Sequence, residues 1–444
     1  MRPASPGQAA GTDWKSRLFN RLESISEWRA ARRGDQAADI PPRPGTVPSS
    51  ASRSLWLFVS TIGELNAVEP FVHLLLAELG HPPLTLLSDR PHYGPAYLAK
   101  FPQAQVETLS GTATEVASLL ARRPPLLLMV AEIPCKLHDA PCRFSYRTVQ
   151  AARQAGAPVA LVNGWLYGYE PPSRLDAVES RLFGRDYLEA FDLMMVQTAE
   201  VRERLLGAGA RPADVVVTGN IKFDAMRPAF AMPAHAPLSD ALRARRPGPV
   251  VVAGSVTQVE DQRAVIDGFA QLAAKSPDAL LVLAPRHPEN PQVMTDLTRM
   301  LDASRLDWRL RSAHAPDAAV AGSVMVLDTM GELRGCYAQA TLAYVGTDHS
   351  VLEPLAFGKP VFVSDGWEPT YPSYPVYRQL LDAGALNAVG PAQGLGAAWQ
   401  AHLAATSGSE GSQTGIAEIL ARVQGAAERS LLALRAHGVL ARMA

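Results

Sequence analysis

From Leu55 onward the chain alternates short apolar runs with longer amphipathic stretches. LWLFVS at 55–60, LTLLS at 84–88, LLLMVA at 126–131, VALVN at 159–163, LMMVQ at 193–197 and VVVTG at 215–219 each precede a helical or loop segment. Continuous apolar runs of this length fit strands covered on both faces, and strands alternating with helices form parallel sheets. The pattern pauses between Met226 and Pro249, where Pro228, Pro233, Pro237, Pro247 and Pro249 crowd together. It restarts with PVVVAGS at 249–255, ALLVLAP at 279–285, VMVLD at 324–328, TLAYVG at 341–346 and PVFVS at 360–364. The chain is therefore expected to be α/β, with two Rossmann-like, doubly wound parallel-sheet domains facing across a cleft. The expected boundaries are 54–227 for the first domain, 228–248 for the linker and 249–405 for the second domain, with a loop and final helix over 406–444.

Residues 1–53 read differently. Trp14, Leu18, Leu22, Ile25 and Trp28 share one helical face, and Lys15, Arg17, Arg21, Arg29, Arg32 and Arg33 outnumber Glu23 and Glu27. Such a helix either lies on an anionic membrane surface or packs on its own protein with a solvated basic face. Pro41, Pro42, Pro44 and Pro48 then mark a linker. Nowhere do 18 apolar residues run together, and the signal-peptide order of basic, apolar and small residues is missing.

Composition narrows the function classes. The 444 residues exceed what one hydrophobic core usually holds, which supports two domains. Lysine plus arginine at 42 nearly balance aspartate plus glutamate at 43, so no broad basic footprint for nucleic acid exists. Three cysteines are too few for a disulfide framework and fit a reducing compartment. Cys135, His138 and Cys142 could suggest zinc, but no second ligand pair follows at usable spacing, so neither a metal nor a cofactor is expected.

Ligands of doubly wound sheets sit at the carboxyl ends of the strands, which directs attention to the polar residues after each apolar run. In the first half these are Gly63 and Glu64 in Thr61-Ile62-Gly63-Glu64, then Glu132, Asn163, and Lys222 within Thr218 to Asp224. In the second half they are Ser255, Arg286 and His287, the turn Asp328-Thr329-Met330-Gly331-Glu332, and Gly346, Thr347 and Glu353. Arg286 could pair with a phosphate through a forked hydrogen bond or form a surface salt bridge. Glu64 and Glu353 could each do chemistry or cap a helix.

Taken in order, these segments resemble the transferases of 3-deoxy-D-manno-octulosonic acid (Kdo) in lipopolysaccharide assembly, over about residues 54–390. The matching pieces are SLWLFVSTIGELNAVEP, VAEIPCKL, VTGNIKFD, VLAPRHPEN, VLDTMGEL and VLEPLAFGKPVF. The resemblance implies the GT-B architecture and an inverting, metal-independent transfer from a CMP-activated sugar, CMP-Kdo, to a lipid A-type or other lipid-linked glycan. Glu64 would be the general base. Ser255, Arg286, His287, Asp328, Thr329, Met330, Gly331, Glu332, Gly346, Thr347 and Glu353 would hold the donor nucleotide. Gly63, Glu132, Asn163 and Lys222 would line the acceptor or donor-sugar side. It further implies a peripheral protein on the cytoplasmic face of the inner membrane, attached through residues 14–33.

The chain departs from the family at several points. Pro134-Cys135-Lys136 replaces the family's Trp-Pro-Asn, and Asn163-Gly164-Trp165-Leu166-Tyr167 replaces its Asn-Ala-Arg-Leu-Ser. Ser255 to Glu260 replaces its Ser-Thr-His-x-Gly-Glu, and the glycine-rich stretch before Glu353 is shortened. These mark a divergent member. Another sugar-nucleotide transferase or an epimerase of the same fold is the alternative, and a non-catalytic binding protein is a second. Loss of the base would signal the latter, and Glu64 is present.

Overall fold

The computed structural model describes residues 15–24 except 16 and 23, and 53–132, 146–165, 174–226, 237–244, 248–316, 323–329, 331–368, 373–390, 394–406 and 418–443. The chain divides into two compact units, Met1–Ile221 with Gly425–Ala444, and Lys222–Gln424. Each contains one seven-stranded sheet.

The first sheet comprises β1 (Ser54–Phe58), β2 (Leu84–Ser88), β3 (Gln105–Thr108), β4 (Pro125–Ala131), β5 (Val159–Gly164), β6 (Leu193–Val196) and β7 (Val215–Val217). Its order is β3-β2-β1-β4-β5-β6-β7, with every pair parallel. The side chains of β1 alternate between two cores. Trp56 and Phe58 join one, and Leu55, Leu57 and Val59 join the other, as the two-residue period of a strand requires. A sheet apolar on both faces needs helices on both, and this accounts for the continuous apolar runs in the sequence.

The second sheet comprises β8 (Val250–Val256), β9 (Leu280–Pro285), β10 (Asp307–Leu310), β11 (Ser323–Val326), β12 (Leu342–Val345), β13 (Val361–Ser364) and β14 (Leu386–Val389). It runs β10-β11-β9-β8-β12-β13-β14, again wholly parallel and with a core on each face. Strand order reverses between β1 and β4 in one sheet and between β8 and β12 in the other. Such switch points open a crevice beyond the strand ends.

Two terminal segments pack on the first unit. The final helix, Ala426–Ala436, buries Ala426, Ala427, Ala433 and Leu434 in the core beside the helix Ile62–Glu78. Arg429 Nε donates to Thr218 O at 2.7 Å and Ser430 Oγ to Thr218 Oγ1 at 3.1 Å. Gly219, at φ 93°, leaves room for this clamp, since a Cβ there would lie 2.6 Å from Arg429 Nη2.

At the other end Phe19 is 2% exposed and packs edge-on against Tyr146, Phe183 and Tyr187. Truncating so buried a ring costs about 3–5 kcal/mol. Phe19 is not one of the apolar stripe expected from the sequence. Of that stripe, Leu18 is half-buried and Leu22 is 48% exposed, while Trp14, Ile25 and Trp28 lie outside the described residues. Lys15 pairs with Asp186 at 2.8 Å. One side of this segment is thus committed to its own unit.

Candidate active site residues at the strand ends

The ends of β1, β4 and β5 bring three candidate residues onto neighbouring strands of the first unit. Thr61 caps the helix Ile62–Glu78, its hydroxyl accepting from Glu64 N at 3.2 Å. The Glu64 carboxylate, on a residue 4% exposed, turns back to accept from Ser60 N at 2.7 Å through Oε2. This resembles a capping box and partly realises the capping role that the sequence left open. It also fixes the direction of the carboxylate. Gly63 has open space beside it, with only Thr61 Oγ1 within van der Waals reach of a Cβ.

Glu132 and Asn163 meet directly: Asn163 Nδ2 donates to Glu132 Oε1 at 3.2 Å. Asn163 Oδ1 accepts from Ile221 N at 2.8 Å, and its backbone carbonyl accepts from Gln197 Nε2 at 3.0 Å. The chain of bonds runs from the end of β4 to Ile221, where the chain leaves the first unit, so Asn163 is a brace as much as a lining group. Lys222 opens the second unit, in the short turn Ile221–Met226.

Backbone strain marks the same places. Among the described residues seven non-glycine residues have positive φ, and five of them, Glu132, Asn163, Ser255, His287 and Asp348, stand at or just beyond strand carboxyl ends. Residues held in this conformation cost of order 1 kcal/mol each and cluster where function fixes the backbone. Four of the five are residues the sequence singled out; Asp348 is the addition.

In the second unit the ends of β8, β9 and β12 converge on one side chain the sequence did not nominate. Arg286 Nη1 donates to His349 Nδ1 at 3.3 Å, and His349 Nε2 lies 2.8 Å from Thr257 Oγ1. Because the guanidinium can only donate, the imidazole proton belongs on Nε2, facing Thr257. Burial, then the positive charge of Arg286, push His349 down to about 4, opposed by Asp261. It is neutral at pH 7. Arg286 has no carboxylate within ion-pair distance among the described residues. The surface salt bridge that the sequence allowed is therefore absent there.

Gly254 and Gly346 are dictated by packing at this edge. A Cβ on Gly346 would lie 2.3 Å from Ser255 O, and one on Gly254 would lie 2.0 Å from the Tyr337 hydroxyl. Thr347 is tied inward, its N–H donating to Asp261 Oδ2 at 2.7 Å and its hydroxyl 2.6 Å from Ser364 Oγ. Asp261 also accepts from the buried Tyr344 hydroxyl at 2.7 Å. Asp348 Oδ1 accepts from Glu368 N at 3.0 Å, joining the loops after β12 and β13.

The turn after β11 is bonded within itself. Thr329 Oγ1 donates to Glu332 Oε2 at 2.6 Å, and Arg311 Nε and Nη2 reach Glu332 Oε1 at 3.3 and 3.2 Å. Asp328 Oδ1 accepts from Ser312 N at 2.8 Å. Met330 lies outside the described residues, and Gly331 has the positive φ of 90° that its turn needs. Glu353 stands in the first turn of Leu352–Ala356, its carboxyl pushed up by burial and drawn back by Arg334. His287 Nδ1 is 3.0 Å from Glu289 Oε1. No group of three or more His, Cys, Asp or Glu is positioned for a metal among the described residues, and Cys135, His138 and Cys142 lie outside them.

Comparison with known proteins bears on this arrangement. A family model described as 3-deoxy-D-manno-octulosonic-acid transferase matches residues 144–225. A 3-deoxy-D-manno-octulosonic acid transferase of Bordetella pertussis is 29% identical over 374 residues, covering 76% of this chain and 78% of the relative. That of Haemophilus influenzae is 31% identical over 225 residues, 48% of this chain and 50% of the relative. Among solved structures, a glycosyltransferase from Rickettsia africae superposes with a TM-score of 0.58 at 10% identity, covering 88% of this chain and 99% of that one. UDP-N-acetylglucosamine 2-epimerases share the same fold, that of Neisseria meningitidis at a TM-score of 0.55 and 16% identity over 86% of this chain and 98% of its own. The structural likeness establishes the GT-B fold, and the sequence relatives support membership of the chain in the 3-deoxy-D-manno-octulosonic acid (Kdo) transferase family of glycosyltransferases.

Proposed function

We propose that the chain transfers Kdo, or a closely related acidic sugar, from a CMP-activated donor to a lipid-linked glycan of the lipid A type. The observation that carries the donor half is the Arg286 guanidinium, without a carboxylate partner among the described residues, beside a neutral His349 at a strand-end edge. A phosphate brought to such a donor gains a charge-assisted hydrogen bond without first breaking an ion pair. Ser255, Thr329, Gly331, Glu332, Gly346, Thr347 and Glu353 surround or shape that edge, with Glu353 offered to the ribose. In the first unit Glu64 serves as general base. As the acceptor oxygen attacks the anomeric carbon, its proton passes to the carboxylate, and CMP leaves with the bonding pair on its phosphate oxygen. One displacement inverts the anomeric centre, and no metal is required for these steps.

The direct test is incubation of the protein with CMP-Kdo and a lipid A precursor. Kdo on the lipid and stoichiometric CMP are expected. Release of nucleotide with an altered free sugar would instead favour an epimerase, and neither product would favour a binding protein.

The lipid-linked acceptor requires work at a bilayer surface, which we assign to the cytoplasmic face of the inner membrane. No helix among the described residues is long and apolar enough to cross a membrane. Leu22 is 48% exposed, and on the helix Arg174–Glu189 Val178 and Leu182 are 54% and 45% exposed beside Arg174, Arg181 and Arg185. Phe183 and Tyr187, on the opposite side of that helix, hold Phe19. Residues 14–33 and this helix together then offer apolar side chains among arginines, each cation worth on the order of 1 kcal/mol near anionic lipid. Binding to phosphatidylglycerol vesicles should fall with salt and weaken when Val178 and Leu182 are both changed to Ser. Equal binding to neutral vesicles would reject the assignment.

A further inference from the structure

We propose that Asp89 is a positioning residue for Glu64, acting through Ser60. The inference rests on the reading of Glu64 as the base, and it adds a residue from a neighbouring strand. Ser60 follows β1 and is fully buried. Its two donors go to two different carboxylates: the backbone N–H to Glu64 Oε2 and the hydroxyl to Asp89 Oδ1, each at 2.7 Å. The position of the amide that aims Glu64 is therefore tied to the position of Asp89.

Asp89 is itself held. It follows β2, which pairs with β1 through Phe58 opposite Leu87, and Val59 N donates to Leu87 O at 2.9 Å. The turn is closed by Arg90 N donating to Ser88 Oγ at 3.1 Å. Beneath it the buried Tyr97 hydroxyl donates to Val59 O at 3.2 Å and sits 3.4 Å from Ser88 Oγ. Burial, with added repulsion from Glu64 and Asp89, pushes Tyr97 up to about 12, so it remains a neutral donor on the carbonyl preceding Ser60. Both the carbonyl before Ser60 and the hydroxyl of Ser60 are thus fixed by groups at the end of β2 and the following helix. An amide placed in this way orients the base before substrate arrives, and misplacement of a reacting group by about 1 Å can cost on the order of a hundredfold in rate.

The bond, rather than the charge, defines the assignment, because Asp89→Asn keeps an oxygen that accepts from Ser60 Oγ whereas Asp89→Ala does not. Transfer from CMP-Kdo to a lipid A precursor is measured for Asp89→Ala, Asp89→Asn, Ser60→Ala and Glu64→Gln, with CMP binding followed by thermal shift to verify folding. Asp89→Ala and Ser60→Ala are expected to lower kcat at least about tenfold with KM for CMP-Kdo within about twofold, and Asp89→Asn to stay within about threefold of the parent. If Asp89→Ala fails to fold, Ser60→Ala, which removes a single hydroxyl, decides the matter. Parental kcat in both Ser60→Ala and Asp89→Ala, with Glu64→Gln inactive, overturns the role of Asp89 and leaves the base in place. An Asp89→Asn variant as impaired as Asp89→Ala overturns positioning by the bond. An active Glu64→Gln removes the base on which the inference rests.

Discussion

The candidate residues of the first unit are bonded to the fold, whereas those at the edge of the second unit stand open. Glu64, Glu132 and Asn163 are 4%, 3% and 0% exposed, and each has a defined donor or acceptor within its own sheet. Arg286, His287 and Thr257 are exposed, and among the described residues Arg286 hydrogen-bonds a neutral histidine and no carboxylate. The difference fits the two tasks proposed for them. A base must hold one direction while a hydroxyl approaches, which favours fixed hydrogen bonds. A phosphate site needs accessible donors without a competing internal anion. Two candidates of the second unit depart from this: Thr347, 4% exposed, is tied to Asp261 and Ser364, and Glu332, 8% exposed and held by Arg311, stiffens the turn that carries Thr329.

The largest effect expected from this contrast is on the fixed side. Glu64→Gln keeps the side chain's shape and an oxygen for Ser60 N, but it cannot accept a proton at neutral pH. Turnover should fall by about 10²–10⁴-fold, the usual worth of a positioned base, while CMP affinity stays within a few-fold. Steady-state transfer and calorimetric titration of CMP measure the two quantities. Turnover at the parental rate would show that the buried carboxylate is only a cap.

How far the sequence reveals this arrangement depends on burial and on distance along the chain. Of the eleven apolar runs, ten are internal strands covered on both faces, and the eleventh is the edge strand β7, whose VVV reads as apolar although Val217 is 42% exposed. β3, β10 and β14 are edge strands with partly exposed residues, QVET, DWRL and LNAV, and carry no continuous apolar run. Glu64, Glu132 and Ser255 are legible because strand ends are predictable. The clamp of Arg429 and Ser430 on Thr218 is not, since it spans 211 and 212 residues and uses side chains common on any helix. The sequence places VTGN in a candidate stretch, Thr218 to Asp224, and the structure gives Thr218 and Gly219 a packing role. His349 lay within a segment noted for its shortened glycines, yet only the fold brings it within reach of both Arg286 and Thr257.

On the open side, Arg286→Ala should weaken CMP binding by about 1.5–3 kcal/mol, the scale of a hydrogen bond to a charged group. The loss is smaller than that for the base because Ser255 and the strand-end amides remain. Titration calorimetry at two salt concentrations measures it and separates direct contact from general attraction, which salt screens over about 10 Å. Affinity equal to that of the parent would make the second unit's edge a poor candidate for the phosphate and sharpen attention on the half-buried Arg311, paired with Glu332, instead.

The smallest expected effect concerns His349, where the open edge meets the fold. Its folded value of about 4 lies below the ordinary 6.5, owing first to burial and then to Arg286. Between those two values the unfolded chain binds a proton that the native state does not, so stability rises with pH across the interval. The contribution of the neutral imidazole is complete above about 6.5 and is lost as pH falls toward 4. His349→Gln, which never charges, should lose less stability than the parent between pH 7 and pH 5. Because the ring is half-buried and solvent screens its charge, the melting temperatures should diverge by only about 1–3 °C over that range. Differential scanning calorimetry of both proteins at the two pH values measures the divergence. Parallel curves would mean that His349 is accessible enough to protonate freely, and that Arg286 does not lean on it in solution.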